Sequence, residues 1–130
     1  VTQDLSTLRF TRDHEWVRSD GDELVVGITD YAQDSLGDIV FVDLPQAGRR
    51  AEAGEAVAEV ESTKTVAQVM APVAGEVVAV NGALKDHPET VNTDPYGEGW
   101  FLRLRPADPA APEALMDESG YRAYVAEVSS

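Results

Sequence analysis

Short runs of β-branched and other aliphatic residues are cut by turn signals along nearly the whole chain, at Asp20-Gly21, Ala47-Gly48, Ala53-Gly54, Ala74-Gly75 and Asn81-Gly82. Segments bounded this closely suit strands better than helices. A mostly β fold is expected. Leu24, Val26 and Ile28 alternate toward one face, as do Trp100, Leu102 and Leu104 while Arg103 and Arg105 point away, so both segments read as half-buried strands. Ile39-Val40-Phe41-Val42 and Val77-Val78-Ala79-Val80 are apolar on both faces and are expected in the core. These two runs open alike, Gly37-Asp38-Ile39-Val40-Phe41-Val42 against Gly75-Glu76-Val77-Val78-Ala79-Val80. That pattern suggests an internal duplication, with two similar β-halves facing each other around a pseudo-two-fold axis.

Three short helices are predicted. Asp30 caps Tyr31 to Leu36, with Gln33 reaching back as in a capping box and Gly37 allowing the exit. A second opens at Pro112 and runs through Leu115 and Met116. In a third, Tyr121, Tyr124, Val125 and Val128 form one stripe that should dock on the β-core. Residues 84–99, with Pro88, Pro95 and Gly97, read as an ordered surface loop. At 130 residues the chain is expected to be a single domain spanning 1–130, with the C-terminal helices at about 112–128 packed against it.

The formal net charge of −14, from 24 acidic and 10 basic residues, opposes nucleic acid and anionic membranes, and either steers basic partners inward or simply keeps the protein soluble. There is no cysteine, so the chain has no thiolate, no disulfide and no sulfur ligand, and redox work needs a borrowed group. No apolar run approaches bilayer length and no charged-then-apolar leader precedes Val1, so a chain free in solution is expected.

Few side chains suggest catalysis. His14 beside Glu15 invites an acid-base reading, but neighbours in a strand point to opposite faces; a structural His next to a solvated or strand-pairing Glu is the simpler expectation. With two separated histidines and no cysteine a metal site would have to be mostly carboxylate, and no Ca²⁺-loop spacing, phosphate-cradling glycine loop or serine-nucleophile motif occurs. Lys64 stands in Val60-Glu61-Ser62-Thr63-Lys64-Thr65-Val66-Ala67, between two short strand patterns, and is expected at the tip of a β-hairpin. Taken alone, such a lysine is ordinarily solvated charge.

Several segments taken in order resemble the H protein of the glycine cleavage system. They are His14-Glu15-Trp16-Val17, Gly27-Ile28-Thr29-Asp30-Tyr31-Ala32-Gln33, Leu36-Gly37-Asp38, Val40-Phe41-Val42-Asp43-Leu44-Pro45, Val60-Glu61-Ser62, Pro72-Val73-Ala74-Gly75-Glu76-Val77, Val91-Asn92 and Pro95-Tyr96-Gly97-Glu98-Gly99-Trp100. The resemblance covers nearly the whole chain. It implies a lipoyl/biotinyl-type barrel-sandwich hybrid of two antiparallel β-halves, with a short helix in the N-terminal half and helices at the C-terminus.

The resemblance also implies that Lys64 carries lipoate through an amide, in a turn whose context is Glu61, Ser62, Thr63, Thr65 and Gly75. Glu61 would be read by the lipoyl-attaching enzyme; Gly75 would serve either that recognition or the backbone of the next turn. Glu15 and Ser35 would border a cleft sheltering the arm. Some relatives carry an imidazole at the position of Ser35, and many have Val and Ala where this chain has Thr63 and Thr65. The implied role is a carrier, not an enzyme, serving a pyridoxal-phosphate-dependent glycine decarboxylase (P protein), a tetrahydrofolate-dependent aminomethyltransferase (T protein) and dihydrolipoamide dehydrogenase (L protein). Its implied place is the bacterial cytoplasm or, alternatively, the mitochondrial matrix after removal of a transit peptide. An alternative is a lipoyl domain or lipoyl-relay protein serving 2-oxo acid dehydrogenases. A biotin carrier would normally flank the lysine with Met, and here both neighbours are Thr.

Overall fold

A computed structural model describes residues 5–128; residues 1–4 and 129–130, part of the expected 1–130 domain, lie outside the described residues. The described fold is two open antiparallel sheets. The larger has six strands in the order β1 (Arg9–Phe10), β2 (Glu15–Asp20), β3 (Glu23–Ile28), β9 (Leu102–Pro106), β8 (Gly75–Val80) and β5 (Arg50–Ala51). The smaller has three, β4 (Ile39–Asp43), β6 (Ala56–Ser62) and β7 (Val66–Met70). Between them lies the main core, which joins Val17, Leu24, Val26, Ile28, Val77, Leu102 and Leu104 of the first sheet to Ile39, Val42, Val57, Val60 and Val69 of the second.

A second cluster covers part of the other face of the large sheet. Helix α4 (Glu118–Val128) lays Tyr121, Tyr124 and Val125 against Leu8, Phe10, Trp16 and Val25, as the stripe in the sequence implied, although Val128 stays exposed. This packing corrects the half-buried reading of β3: Val25 is buried under the helix cluster while Leu24 and Val26 face the main core. Trp100 also departs from its expected row. It precedes β9 and packs in the second cluster, leaving Phe101 to enter the main core.

Two runs expected in the core on both faces behave differently, and bulges are the reason. In β4 the register passes from Ile39 opposite Ser62 to Phe41 opposite Glu61, so the extra residue, Val40, has no partner. Ile39 and Val42 are buried, but Val40 and Phe41 are 50% and 53% exposed. Bulges re-aim side chains in this way. In β8 the shift falls between Val77 and Ala79, the matching positions of the repeated pattern, and only Val77 is fully buried. The two related segments thus lie one in each sheet and carry a bulge at the same place.

The remaining helices correct the expectations in detail. In α1 (Asp30–Leu36) the N-cap is Thr29, not Asp30: the Thr29 side chain accepts a hydrogen bond from Ala32 N–H. Asp30 instead sits in the first turn and accepts from Gln33 Nε2. Pro112 begins only a short 3₁₀ turn, Ala111–Ala114; Met116 then bridges to Phe10 as a strand would. Residues 84–99 are more than a surface loop. Helices α2 (Ala83–Asp86) and α3 (Thr90–Thr93) drive Leu84 and Val91 into the main core.

Candidate functional site

Strands β6 and β7 form an antiparallel hairpin whose connection is Thr63-Lys64-Thr65. Ser62 organises it. Its buried Oγ accepts from the N–H groups of Lys64 and Thr65 at 3.2 and 3.1 Å, and its own N–H donates to Thr65 O at 2.8 Å. A hydroxyl folding back on the following backbone is a common way to hold a tight turn. Thr63 N–H donates to Asp38 O at 3.0 Å, which ties the tip to the link between α1 and β4.

That link is itself clamped by Asn92. Its Nδ2 donates to Gly37 O at 2.9 Å and to Gln33 Oε1 at 2.8 Å, while its Oδ1 accepts from Ile39 N–H at 2.9 Å. Gly37 ends α1 with φ +85°, a conformation that favours glycine, and a Cβ there would stand 3.3 Å from Lys64 Cε. The lysine stem therefore passes over a position kept bare. Lys64 is exposed, and every ion pair among the described residues joins other groups. Converting such an amine to an amide removes a charge without breaking a salt bridge, so the site fits a covalent acyl group.

Glu15 and Ser35 both line one cavity of about 330 Å³, with Ser35 on α1 and Glu15 at the start of β2. Val60, Ala67 and Val69 of the lysine hairpin form another wall, and His14 and Tyr31 complete it. The expectation that His14 and Glu15 do not share a site is thus corrected. His14 has φ +69° and precedes the regular strand, so simple alternation does not apply. Of the two expectations for Glu15, strand pairing holds, opposite Ile28, but solvation does not: it is 1% exposed, with Oε1 accepting from the Thr11 hydroxyl at 2.6 Å and Oε2 from Met70 N–H at 3.1 Å. Burial pushes its pKa up to about 7 against the opposing pull of those two hydrogen bonds. Burial likewise lowers the pKa of His14.

Glu61, Thr63 and Thr65 are exposed around the lysine, whereas Gly75 is not part of this turn. Gly75 begins β8 in the other sheet, where a Cβ would collide with Arg105 O. Close strand approach explains the glycine. The hydrogen bonds of Asn92 and those joining Tyr121 to His14 and Thr29 leave no signal in the sequence. Tyr121 OH lies 2.9 Å from His14 Nδ1 and 2.7 Å from Thr29 Oγ1, linking α4 to the cavity wall and to the cap of α1. Asn92 reaches partners 53 to 59 positions earlier, a separation at which local pattern carries no signal. Among the described residues no cluster of His, Asp and Glu could hold a metal ion, and no helix is long and apolar enough to cross a membrane.

Residues 8–128 match the family model described as glycine cleavage H-protein. A glycine cleavage system H protein from Thermus thermophilus is 58% identical over 113 residues, covering 87% of this chain and 88% of that protein. One from Anaeromyxobacter sp. strain K is 52% identical over 120 residues, covering 92% and 94%. The crystal structure of a glycine cleavage system H protein from Mycobacterium marinum superposes with a TM-score of 0.83 at 41% identity, covering 96% of this chain and 98% of that one.

Proposed function

The chain belongs to the glycine cleavage H-protein family, and from that premise we propose that it is the lipoyl-bearing shuttle of the glycine cleavage system, with lipoate joined to Lys64 Nζ through an amide. The observation that carries this reading is the lysine itself, exposed at a hairpin tip held by Ser62, Asp38 O and Asn92, and outside every ion pair among the described residues. When attached, lipoate supplies a dithiolane whose reversible opening takes up an aminomethyl group and electrons, chemistry that a chain without cysteine lacks.

The chain's own residues position and shelter. Ser62 fixes the turn, and Gly37 leaves room for the stem. The cavity between α1 and the hairpin offers the apolar walls of Leu36, Val60, Ala67 and Val69, with Glu15 among its lining residues. Val60 and Ala67 lie three or four residues from the tip, roughly 10–13 Å along a strand, a distance comparable to a lysine stem extended by an eight-carbon acyl chain. With its pKa raised to about 7, Glu15 is poised between neutral and charged forms near neutral pH, and the charged form favours a cationic amine nearby.

In this role the protein catalyses nothing alone. It is a cosubstrate that meets glycine decarboxylase, then the aminomethyltransferase, then dihydrolipoamide dehydrogenase, in the cytoplasm of a bacterium and away from membranes. Tethering replaces diffusion of a labile group by presentation from a docked surface. The test is Lys64→Arg, which keeps the charge but offers no acylatable amine. It should fold as the parent does and abolish decarboxylase-dependent exchange of CO₂ into glycine; turnover by the variant would overturn the proposal.

A further inference from the structure

The outer face of the small sheet carries an apolar row that neither the core nor the cavity uses. Phe41 of β4 and Val66 of β7 both pair with Glu61 of β6, so the three side chains stand side by side across the sheet. Phe41 and Val66 are each 53% exposed, and Val40 next to them is 50% exposed. Val128 completes the exposed large hydrophobics of the described residues. Single exposed apolar residues need no explanation, but three together beside a reactive position do. The bulge at Val40 sharpens the point: regular alternation from Ile39 would have turned Phe41 inward. Along the same face run the exposed carboxylates of Asp43, Glu59 and Glu61, with Asp38 beside the tip, all outside the ion pairs of the described residues.

We propose that Val40, Phe41 and Val66, centred on Glu61, form the surface on which the enzyme that acylates Lys64 rests, a partner presenting apolar side chains flanked by Lys or Arg. The inference rests on Lys64 being the acylated residue and adds the docking surface. Reach decides among the possible occupants. Enzymes that receive a loaded arm can work at the length of that arm, whereas the acylating enzyme must bring its active site to the bare Nζ, and so must touch what adjoins the turn. The α1 side of the tip is already occupied, since Thr63 is bonded to Asp38 and the lysine stem lies over Gly37. The sheet face is open. There the deprotonated Nζ attacks the carbonyl carbon of an activated acyl donor such as an acyl adenylate; the C–N bond forms, the C–O bond to the nucleotide breaks, and the amine proton leaves to the enzyme or solvent.

The test uses the full chain with a lipoate-attaching ligase, lipoate and ATP, following acylation of Lys64 by mass. Phe41→Thr with Val66→Thr keeps β-compatible residues at solvent-facing positions, and Val128→Thr serves as a distant control. The double variant should lose at least about tenfold in kcat/KM for acylation, chiefly through KM, and the control should match the parent. Glu61→Gln should lower the rate at low salt and less so at high salt. Unchanged acylation of a double variant that unfolds normally overturns the docking surface alone, while a parent chain that takes no lipoate on Lys64 overturns the carrier reading with it. Unchanged acylation with a raised KM toward glycine decarboxylase would assign the row to that enzyme instead. A parent dimer that the double variant dissociates would assign it to a second copy of this chain; either result overturns the proposal.

Discussion

Glu15 is where one residue's environment has the most measurable consequence. Its folded pKa of about 7 lies above the ordinary 4.5, so the folded state holds a proton that the unfolded chain releases earlier. The resulting stabilisation is fully present below pH 4.5 and is lost as pH rises through 7. Its size follows from the shift, about 3 kcal/mol. Denaturant titrations across that range should show parental stability declining relative to Glu15→Gln, with the difference flattening above the upper pKa; parallel curves would show that Glu15 titrates normally. Gly37 gives a second test at this scale. Gly37→Ala forces a Cβ onto backbone with φ +85° and against Lys64 Cε, and should cost about 1–2 kcal/mol in chemical denaturation. Unaltered stability would show that the turn rearranges freely.

Among the elements, α3 and α4 act as braces for parts of the site that they do not form. Removing Asn92 leaves Gly37 O, Ile39 N–H and Gln33 Oε1 without this partner, so Asn92→Ala should destabilise by about 2–3 kcal/mol and slow acylation of an untouched Lys64. Unfolding curves and a lipoate-ligase assay check the two effects separately. The lysine hairpin was legible in the sequence because its strands are contiguous and its turn local. The stripe on α4 was legible for the same reason, since Tyr121, Tyr124 and Val125 repeat at helical spacing. What local pattern missed were events of pairing. An unpartnered residue at Val40 turned Phe41 out of a run that reads as pure core, and a hydroxyl one position earlier than expected capped α1. Leu84 and Val91 were hidden in a polar stretch because each is the lone anchor of a single helical turn.

At the scale of the molecule, two sheets pack around the main core and leave the lysine hairpin projecting beside a cavity, an arrangement that in the proposed role separates Lys64 from the residues that would shelter its cargo. Glu15 and Ser35 line that cavity together although 20 positions apart, a proximity that strand alternation alone does not give. The strong negative charge belongs to this scale as well. If the proposed role holds, association with glycine decarboxylase should weaken several-fold as ionic strength rises from low to above physiological, mostly through the on-rate; an affinity indifferent to salt would remove charge from the docking mechanism. All of these proposed roles depend on whether Lys64 carries lipoate. Intact-mass measurement of the protein made in a lipoate-attaching host, followed by peptide mapping, decides it: one lipoyl increment located on Lys64 is expected, and a bare Lys64 with the group on Lys85 or absent altogether would contradict the carrier mechanism.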